Sequence, residues 1–199
     1  MPLVTAAQLI EQVNHGQVVS FPTDTVPALA AKPDAAPLIY QLKRRSPDKP
    51  LILMTAALPE VWDYVVGSEA EKEHWQAIAQ QYWPGALTLV LPASKKVSAA
   101  MNPTNSGTIG VRVPDLDLAQ AILRETGPLA TTSANRSGSD PLEWMGAIAS
   151  EFTEIGVLDC TAQEQMGKIG SGQPSTVAQW TGKGWQILRQ GSLVLSPQP

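Results

Sequence analysis

Residues 41–53 read QLKRRSPDKPLIL, and this stretch joins a predicted helix to a predicted buried strand in a chain of 199 residues. The apolar residues of 34–44 repeat at helical spacing, which predicts a helix that ends inside the basic run. Leu51–Met54 is a short continuous apolar run, which predicts a strand covered on both faces. A helix that leads directly into a buried strand is typical of an α/β fold.

The same alternation of helix and strand patterns extends from this junction in both directions. Further helices are predicted at 6–14, 69–82, 116–125 and 142–151, and further strands at 17–21, 87–91, 108–113, 128–132, 156–159, 175–180 and 185–189. Thr181-Gly182-Lys183 separates the last two strands and predicts a hairpin, so we expect a mixed sheet. Neither an internal repeat nor a long linker divides the chain, which predicts a single domain over residues 1–199.

The composition is that of a globular protein, and it excludes several function classes. Hydrophobic residues make up 43% and charged residues 16%, and 14 Lys and Arg against 18 Asp and Glu give a net charge of −4. Binding of nucleic acid through overall positive charge is therefore excluded, and such a contact would need a local basic patch. One cysteine and two histidines leave almost no material for a disulfide, a Cys/His metal site or a histidine triad. Without a targeting sequence or a long apolar run, we expect a soluble cytoplasmic protein that does not enter membranes.

The basic residues of the junction are the first candidates for a functional site. Four of the fourteen basic residues fall within seven positions, namely Lys43, Arg44, Arg45 and Lys49. The helix dipole also favours cations near a helix C-terminus, so a solvated cap is one interpretation of this cluster. Pro47 and Pro50 stiffen the connection, however, and cations held in place beside a sheet edge are suited to a polyphosphate.

Three further polar features each have a structural and a functional interpretation. Residues 131–135 (TTSAN) follow a predicted strand, where open α/β sheets place ligands, although the same residue types are common in turns. In residues 20–25 (SFPTDT), Asp24 lies between two threonines. These three side chains are suited either to binding a small zwitterion or to forming a local turn. Arg112 interrupts an apolar strand, and a buried guanidinium needs a partner, either a ligand carboxylate or phosphate or a buried acid.

Seven segments of the chain, taken in order, resemble one protein family. They are SFPTDTV (20–26), QLKRRSPDKPLIL (41–53), WPGALTLVL (83–91), TIGVRVP (108–114), TTSANRSG (131–138), PSTV (174–177) and ILRQG (187–191). Each segment is a weak signal alone, but together they resemble the YrdC-like family, the threonylcarbamoyl-AMP synthases of tRNA modification. The length is similar to that of the single-domain bacterial members.

The resemblance implies a fold, a reaction and partners. The implied fold is α/β, a twisted open mixed sheet with helices on its faces and a concave positive cavity. The implied reaction converts L-threonine, bicarbonate and ATP into L-threonylcarbamoyladenylate and pyrophosphate, with Mg²⁺ carried by the ATP and no metal site on the protein. The product is used to build threonylcarbamoyladenosine in tRNAs that read ANN codons, so tRNA or the downstream transferase machinery is an implied partner.

The functional residues of the family can be placed at matching positions of this sequence. The resemblance implies a catalytic group at the nucleotide phosphates made of Lys43, Arg45, Ser133 and Asn135, other ATP contacts at Lys49, Thr108 and Arg189, and threonine contacts at Thr25, Arg112, Thr131 and Ser175. We expect Lys43 and Arg45 to lie exposed in a cleft. We expect Arg112 to bind the threonine carboxylate through two parallel hydrogen bonds.

The sequence departs from the family pattern near the implied amino-acid pocket. The family usually continues its first motif as V-Y-G-L, where this chain has Val26-Pro27-Ala28-Leu29, and some relatives have a histidine at the position of Met54. The YciO-like branch shares the fold and much of the phosphate site. It implies an alternative function, a nucleotide- or double-stranded-RNA-binding protein without synthase activity.

Two interpretations from other function classes also stay open. One is an RNA-binding module that uses the basic concavity, although the net charge of −4 and the lack of RRM, KH or dsRBD patterns count against it. The other is a nucleotide-binding regulator that holds ATP without turning it over.

Overall fold

A computed structural model describes residues 3–46, 48–104 and 106–195. Within these residues the strands are β1 (Leu3–Val4), β2 (Val19–Phe21), β3 (Ala28–Ala31), β4 (Ile52–Met54), β5 (Leu87–Pro92), β6 (Thr108–Arg112), β7 (Leu129–Ser133), β8 (Gly156–Leu158), β9 (Thr176–Trp180) and β10 (Trp185–Arg189). The α-helices are α1 (Ala6–Asn14), α2 (Ala36–Lys43), α3 (Leu58–Val61), α4 (Glu69–Tyr82), α5 (Asp117–Thr126), α6 (Met145–Glu151) and α7 (Thr161–Glu164). No helix in the described ranges is both long enough and apolar enough to cross a bilayer. Pro47 lies outside these ranges, so its stiffening effect stays a prediction.

All ten strands belong to one mixed sheet with the order β1-β8-β2-β3-β7-β4-β6-β5-β9-β10. The pairs β2–β8, β4–β6 and β5–β9 are parallel, whereas β3–β7, β4–β7 and β5–β6 are antiparallel. β9 and β10 form the predicted antiparallel hairpin at one edge. The α/β fold with a mixed sheet is therefore confirmed.

Two helices begin at side-chain caps that can be read from the sequence. The Thr5 side chain accepts a hydrogen bond from the N–H of Gln8, whose own side chain accepts one from the N–H of Thr5. Ser68 and Glu71 form the same reciprocal pair at the start of α4. Each pair satisfies two N–H groups that have no partner inside the helix. α4 then buries Trp75 completely, and the ring packs edge-on against Trp180 of β9.

β3 is a short strand that the sequence patterns did not predict, and it matters for the site. Its sequence is ALAA, alanine is depleted in strands, and Pro27 precedes it. All four residues are nevertheless buried, and β3 pairs antiparallel with β2 on one side and with β7 on the other. Pairing on both edges therefore overrides the weak local preference of this segment.

The end of α2 brings two of the predicted polar segments together. α2 stops at Lys43, because the next residue, Arg44, adopts a left-handed conformation with φ 50°. The carbonyl of Leu42 accepts a hydrogen bond of 2.6 Å from Arg136 Nη1, and the carbonyl of Lys43 accepts one of 3.3 Å from the N–H of Ser137. The loop after β7 thus satisfies the free carbonyls of the helix end.

Candidate active site

A cavity of about 510 Å³ opens on the face of the sheet formed by β4 to β7, β9 and β10. Eight of the eleven site residues expected from the sequence line it, namely Thr25, Arg45, Thr108, Arg112, Thr131, Ser133, Ser175 and Arg189. The fold therefore brings distant segments of the chain to one hollow. Lys43, Lys49 and Asn135 do not line this cavity.

The cavity lining is positively charged and rich in hydroxyl groups. Arg45, Arg112 and Arg189 each contribute a guanidinium group, and among the described lining residues there is no carboxylate. Burial, together with the nearby charges of Arg112 and Arg45, lowers the pKa of Arg189. Hydroxyl groups come from Thr23, Thr25, Thr88, Ser106, Thr108, Thr131, Thr132, Ser133 and Ser175. Cations and neutral donors in this arrangement are suited to an anionic ligand.

Lys43 does not lie exposed in the cleft, so the expectation of exposure is wrong for this residue. Its side chain is 1% exposed, and Nζ donates to Ser133 O at 2.5 Å, to Asn135 O at 2.6 Å and to Asn135 Oδ1 at 3.1 Å. Three acceptors match the three N–H donors of an ammonium group. Burial and the charge of Arg45 lower the pKa of Lys43 to about 7. Lys43 thus sits beneath the loop that carries Ser133.

Asn135 completes the support of this loop. Its Oδ1 accepts a hydrogen bond of 2.6 Å from Ser133 Oγ, and its Nδ2 donates to Ser139 O at 2.6 Å. Lys43 and Asn135 therefore lie behind the cavity wall, and their hydrogen bonds hold Ser133 at the edge of the cavity. Neither residue lines the cavity, so the structure gives both a supporting contact with the loop that carries Ser133.

Arg45 lies in the cavity lining, and the connection between α2 and β4 fixes its orientation. Arg45 Nε donates to the carbonyl of Lys49 at 2.8 Å, and Nη2 donates to the carbonyl of Pro50 at 3.3 Å. Lys49 is itself exposed. Among the described residues, it contacts the other basic residues of the run through its carbonyl, which accepts the bond from Arg45. The basic run thus supplies one positioned cation, one buried cation and two exposed ones, Arg44 and Lys49.

Arg112 is 3% exposed and is held by three partners of the protein itself. Nη2 donates to Asp24 Oδ1 at 2.6 Å, Nη1 to Thr25 Oγ1 at 2.7 Å and Nε to the carbonyl of Gly85 at 3.1 Å. Burial lowers the pKa of Arg112, and the Asp24 carboxylate opposes this shift. A guanidinium has five N–H donors, so two have no partner in the part of the chain that the structure describes, and they are available to a ligand in the cavity.

Asp24 does not line the cavity, and it supports Arg112 by accepting its hydrogen bond. The residues around it form the local turn that was one of the two interpretations, since Thr23 Oγ1 accepts a hydrogen bond of 3.1 Å from the N–H of Thr25 and donates to the carbonyl of Val26 at 2.7 Å. Asp24, whose side chain is 14% exposed, is the acid that pairs with Arg112, and Arg112 still lines the cavity. The two interpretations of Arg112 are therefore compatible.

A glycine-rich loop holds the turn of residues 23–25 in place from outside. The N–H groups of Ser171 and Gly172 each donate a hydrogen bond of 2.9 Å, to the carbonyls of Asp24 and Thr25 respectively. Gly170 has a φ of +78°, and a Cβ added there would lie 2.6 Å from the carbonyl oxygen of Thr25. Only glycine allows this close approach without a shift of the backbone.

Thr88 and Gly170 are site residues that the sequence reasoning did not assign. Thr88 is 1% exposed and lines the cavity, and the signal in the sequence is a single hydroxyl group in the apolar run LTLVL. Gly170 is one of three glycines in residues 167–172, but the spacing of glycines does not say which backbone they approach.

Comparison with known proteins agrees with this geometry. The family model Sua5_yciO_yrdC, described as "Telomere recombination", matches residues 11–191. The chain belongs to this family. The membership confirms the YrdC-like fold that the seven segments implied.

Two sequence relatives of this family member are both named threonylcarbamoyl-AMP synthase. The protein from Bacillus subtilis (strain 168) is 38% identical over 193 residues, which cover 94% of this chain and 53% of the relative. The protein from Vibrio vulnificus (strain YJ016) is 33% identical over 190 residues, which cover 92% of this chain and 97% of the relative. The chain thus spans about half the length of the first relative and nearly all of the second.

Two solved structures share the fold of this family member. The crystal structure of Pyrococcus abyssi Sua5 complexed with L-threonine has a TM-score of 0.83 and 29% identity, over 94% of this chain and 54% of that chain. The structure of Escherichia coli YciO has a TM-score of 0.80 and 25% identity, over 94% of this chain and 89% of that chain. Both branches considered from the sequence are therefore represented among its structural relatives.

Proposed function

We propose that the protein is an L-threonylcarbamoyladenylate synthase, a nucleotidyltransferase that forms threonylcarbamoyl-AMP and pyrophosphate from L-threonine, bicarbonate and ATP. The observation that carries the proposal is the convergence of Arg45, Arg112 and Arg189 on one hydroxyl-rich cavity without a lining carboxylate among the described residues. The names of the two sequence relatives and the threonine-bound Sua5 structure support it. The proposal covers a single domain over residues 1–199.

ATP binds through its phosphates at the end of the cavity where β7 meets the basic run. Arg45, Ser133, Thr108 and Arg189 line the cavity and contact the nucleotide directly. Lys43 and Asn135 act from beneath the Ser133 loop, and exposed Lys49, whose carbonyl bonds Arg45, adds positive charge to the same connection. Mg²⁺ arrives with the ATP as part of the substrate, since Mg²⁺ in such sites is bound largely by phosphates and water.

L-Threonine binds at Arg112, whose two remaining N–H donors are suited to the carboxylate. Thr25, Thr131 and Ser175 line the same cavity and offer hydroxyl groups to the amine and the side-chain hydroxyl of the substrate. Pro27, Ala28 and Met54, the positions at which this chain departs from the family pattern, also line the cavity. They provide the apolar surface for the substrate methyl group.

The arrangement is adequate for the reaction without a covalent intermediate on the protein. The threonine amine captures bicarbonate as a carbamate, and a carbamate oxygen then attacks the α-phosphorus while pyrophosphate leaves. Such a transfer depends on positioning and on neutralisation of charge, which guanidinium and hydroxyl donors supply. The three guanidinium groups would stabilise the charge that develops on the phosphate oxygens.

The synthase is favoured over the YciO-like alternative by sequence similarity. In the structural comparison Sua5 is 29% identical and YciO 25%, and the two sequence relatives named as synthases are 38% and 33% identical. In the cell the product would pass to the tRNA-modifying machinery of the cytoplasm. A direct contact of this chain with tRNA remains part of the proposal.

The proposal is tested by incubating the purified protein with ATP, L-threonine, [¹³C]bicarbonate and Mg²⁺. We expect pyrophosphate and a ¹³C-labelled adenylate in equal amounts, both lost when threonine is omitted, measured by a coupled assay and mass spectrometry. ATP-dependent thermal stabilisation without product would favour the regulator instead. Binding of RNA that weakens steeply with salt, without turnover of ATP, would favour the RNA-binding module.

Gly170→Ala is expected to raise the KM for L-threonine about tenfold and to leave the Kd for ATP within about twofold. The added Cβ pushes the turn of residues 23–25 away, and this turn carries Asp24 and Thr25, which hold Arg112. Gly16→Ala is the matched control, since Gly16 has a φ of +76° but no atom within 4 Å of an added Cβ. Equal weakening of ATP and threonine binding in Gly170→Ala would contradict the assignment.

A further inference from the structure

The cavity wall contains two buried hydroxyl groups that are hydrogen-bonded to each other. The proposed function assigns no role to this pair. Thr88 Oγ1 and Ser175 Oγ lie 2.8 Å apart, and their residues are 1% and 3% exposed. Both residues line the cavity. A hydroxyl pair buried in a cavity wall either fills the wall or binds a ligand, and the surrounding charges distinguish these cases.

The register of the sheet places Thr88 between two arginines. β5 and β6 pair antiparallel, with Leu89 opposite Val111, so the next residues along the two strands, Thr88 and Arg112, are also opposite each other. The side chains of such a pair lie on the same face, with Cβ atoms about 4.5–5.5 Å apart. On its other side Thr88 is paired with Val177, which is paired in turn with Arg189.

Ser175 is connected to the second arginine directly. Arg189 Nη2 donates to the carbonyl of Ser175 at 2.8 Å and to its Oγ at 3.3 Å, and Nε donates to the same carbonyl at 3.1 Å. The hydroxyl pair is therefore flanked by Arg112 on one side and Arg189 on the other. Its surroundings favour a small anion.

The hydrogen-bond capacity of the pair is not exhausted within the protein. Two hydroxyl groups carry two protons, and the bond between them uses one. Whichever of the two oxygens donates in the pair, the other proton has no acceptor among the described residues and is available to a ligand. Arg189 bonds Ser175 through Nε and Nη2, and the N–H groups of its Nη1 have no partner among the described residues. One hydroxyl and the Arg189 guanidinium can therefore meet the two oxygens of a carboxylate, while Arg112 holds the amino acid.

We propose that Thr88 and Ser175 form the subsite for the one-carbon unit of the reaction, binding bicarbonate and then the carbamate carboxylate between Arg112 and Arg189. The inference rests on the proposed synthase function and adds Thr88 as a residue that contacts the substrate. The amino acid held at Arg112 lies next to this subsite, so its amine is adjacent to the bound carbon.

The chemistry at the subsite balances without a further reactant. The neutral amine forms a bond to the carbon of bicarbonate, R–NH₂ + HCO₃⁻ giving R–NH–COO⁻ and water. One carbamate oxygen then forms a bond to the α-phosphorus, and the bond from that phosphorus to its bridging oxygen breaks. Pyrophosphate leaves with the electron pair of the broken bond. The hydroxyl pair orients the carboxylate, and the arginines keep it beside the phosphate.

The test is the bicarbonate dependence of turnover in Thr88→Val, a substitution that keeps the shape and removes the hydroxyl. In CO₂-depleted buffer with saturating ATP and L-threonine, we expect the KM for bicarbonate to rise about tenfold, with the KM for threonine and the Kd for ATP within about twofold of the original. Thr88→Ser, which retains the hydroxyl, should return the bicarbonate KM to within about threefold. Thr161→Val, the same deletion on α7 outside the cavity lining, is the matched control and should leave all three constants unchanged.

The outcomes separate this inference from the proposed function. An unchanged bicarbonate KM in Thr88→Val, or an equal rise of the threonine KM, overturns the subsite while the synthase function stands. Absence of threonine-dependent product from the unsubstituted protein overturns the synthase function and the subsite with it. ATP-dependent thermal stabilisation checks that Thr88→Val is folded. If it is not, Thr88→Ala replaces it, and the same rise of the bicarbonate KM with an unchanged threonine KM is required there.

Discussion

Arg112→Ala is expected to raise the KM for L-threonine by at least about a hundredfold, since two parallel charge-assisted hydrogen bonds to a carboxylate are lost. The Kd for ATP should change much less, because Arg45 and the Ser133 loop are untouched. The same substitution should lower the free energy of unfolding by about 3 kcal/mol, since it leaves the Asp24 carboxylate without its buried partner. Initial-rate kinetics with varied threonine and urea unfolding measure the two effects.

The double variant Asp24→Ala/Arg112→Ala separates the two consequences of losing Arg112. Removal of both partners leaves no unpaired buried charge, so the double variant should recover part of the lost stability. Its threonine KM should stay as high as in Arg112→Ala. A folded Arg112→Ala protein with an unchanged threonine KM would show that Arg112 serves only to pair Asp24. Arg112→Lys should restore charge but not affinity, because an ammonium cannot form the planar fork.

The sequence identified most of the elements that build the site, because their signals are local. The apolar periodicity of α4 is written in consecutive residues, and the helix appears in the structure at the predicted place. β3 was missed because an alanine-rich segment becomes a strand only when neighbours pair with both its edges. Its position is decided by the rest of the sheet.

The residues whose roles were mistaken or missed depend on contacts between distant segments. Lys43 has the local signature of an exposed cation at a helix end, but the loop of residues 133–135 covers it. Thr88 looks like one polar residue in an apolar strand until the register sets it beside Arg112. Gly170 has no signature that names Thr25 as its neighbour. Burial and register are properties of the assembled sheet, which is why spacing alone did not show them.

Lys43→Met is expected to weaken ATP binding by at least about a hundredfold and also to lower the free energy of unfolding by about 3 kcal/mol. The stability loss arises because the carbonyls of Ser133 and Asn135 and the Asn135 side chain lose their donor while they stay buried. Arg45→Ala is the matched comparison, since Arg45 lies at the cavity wall and its side chain bonds, among the described residues, to the carbonyls of exposed Lys49 and Pro50. It should weaken ATP binding with little change in stability. Equal stability of the two variants, measured by urea unfolding, would contradict the buried position of Lys43.

The pH dependence of stability and of ATP affinity in the unsubstituted protein tests the protonation of the same residue, Lys43. Burial lowers the pKa of Lys43 from 10.5 to about 7, so between these values the unfolded chain holds a proton that the folded protein has released. The contribution of this group to the free energy of unfolding therefore rises from pH 7 toward 10.5, with a slope of up to about 1.4 kcal/mol per pH unit. ATP binding needs the charged form, so ATP affinity should fall over the same range by up to about tenfold per unit. Stability and affinity thus change in opposite directions, and Lys43→Met should abolish both trends. Parallel trends, or opposite trends that persist in Lys43→Met, would place the titrating group elsewhere.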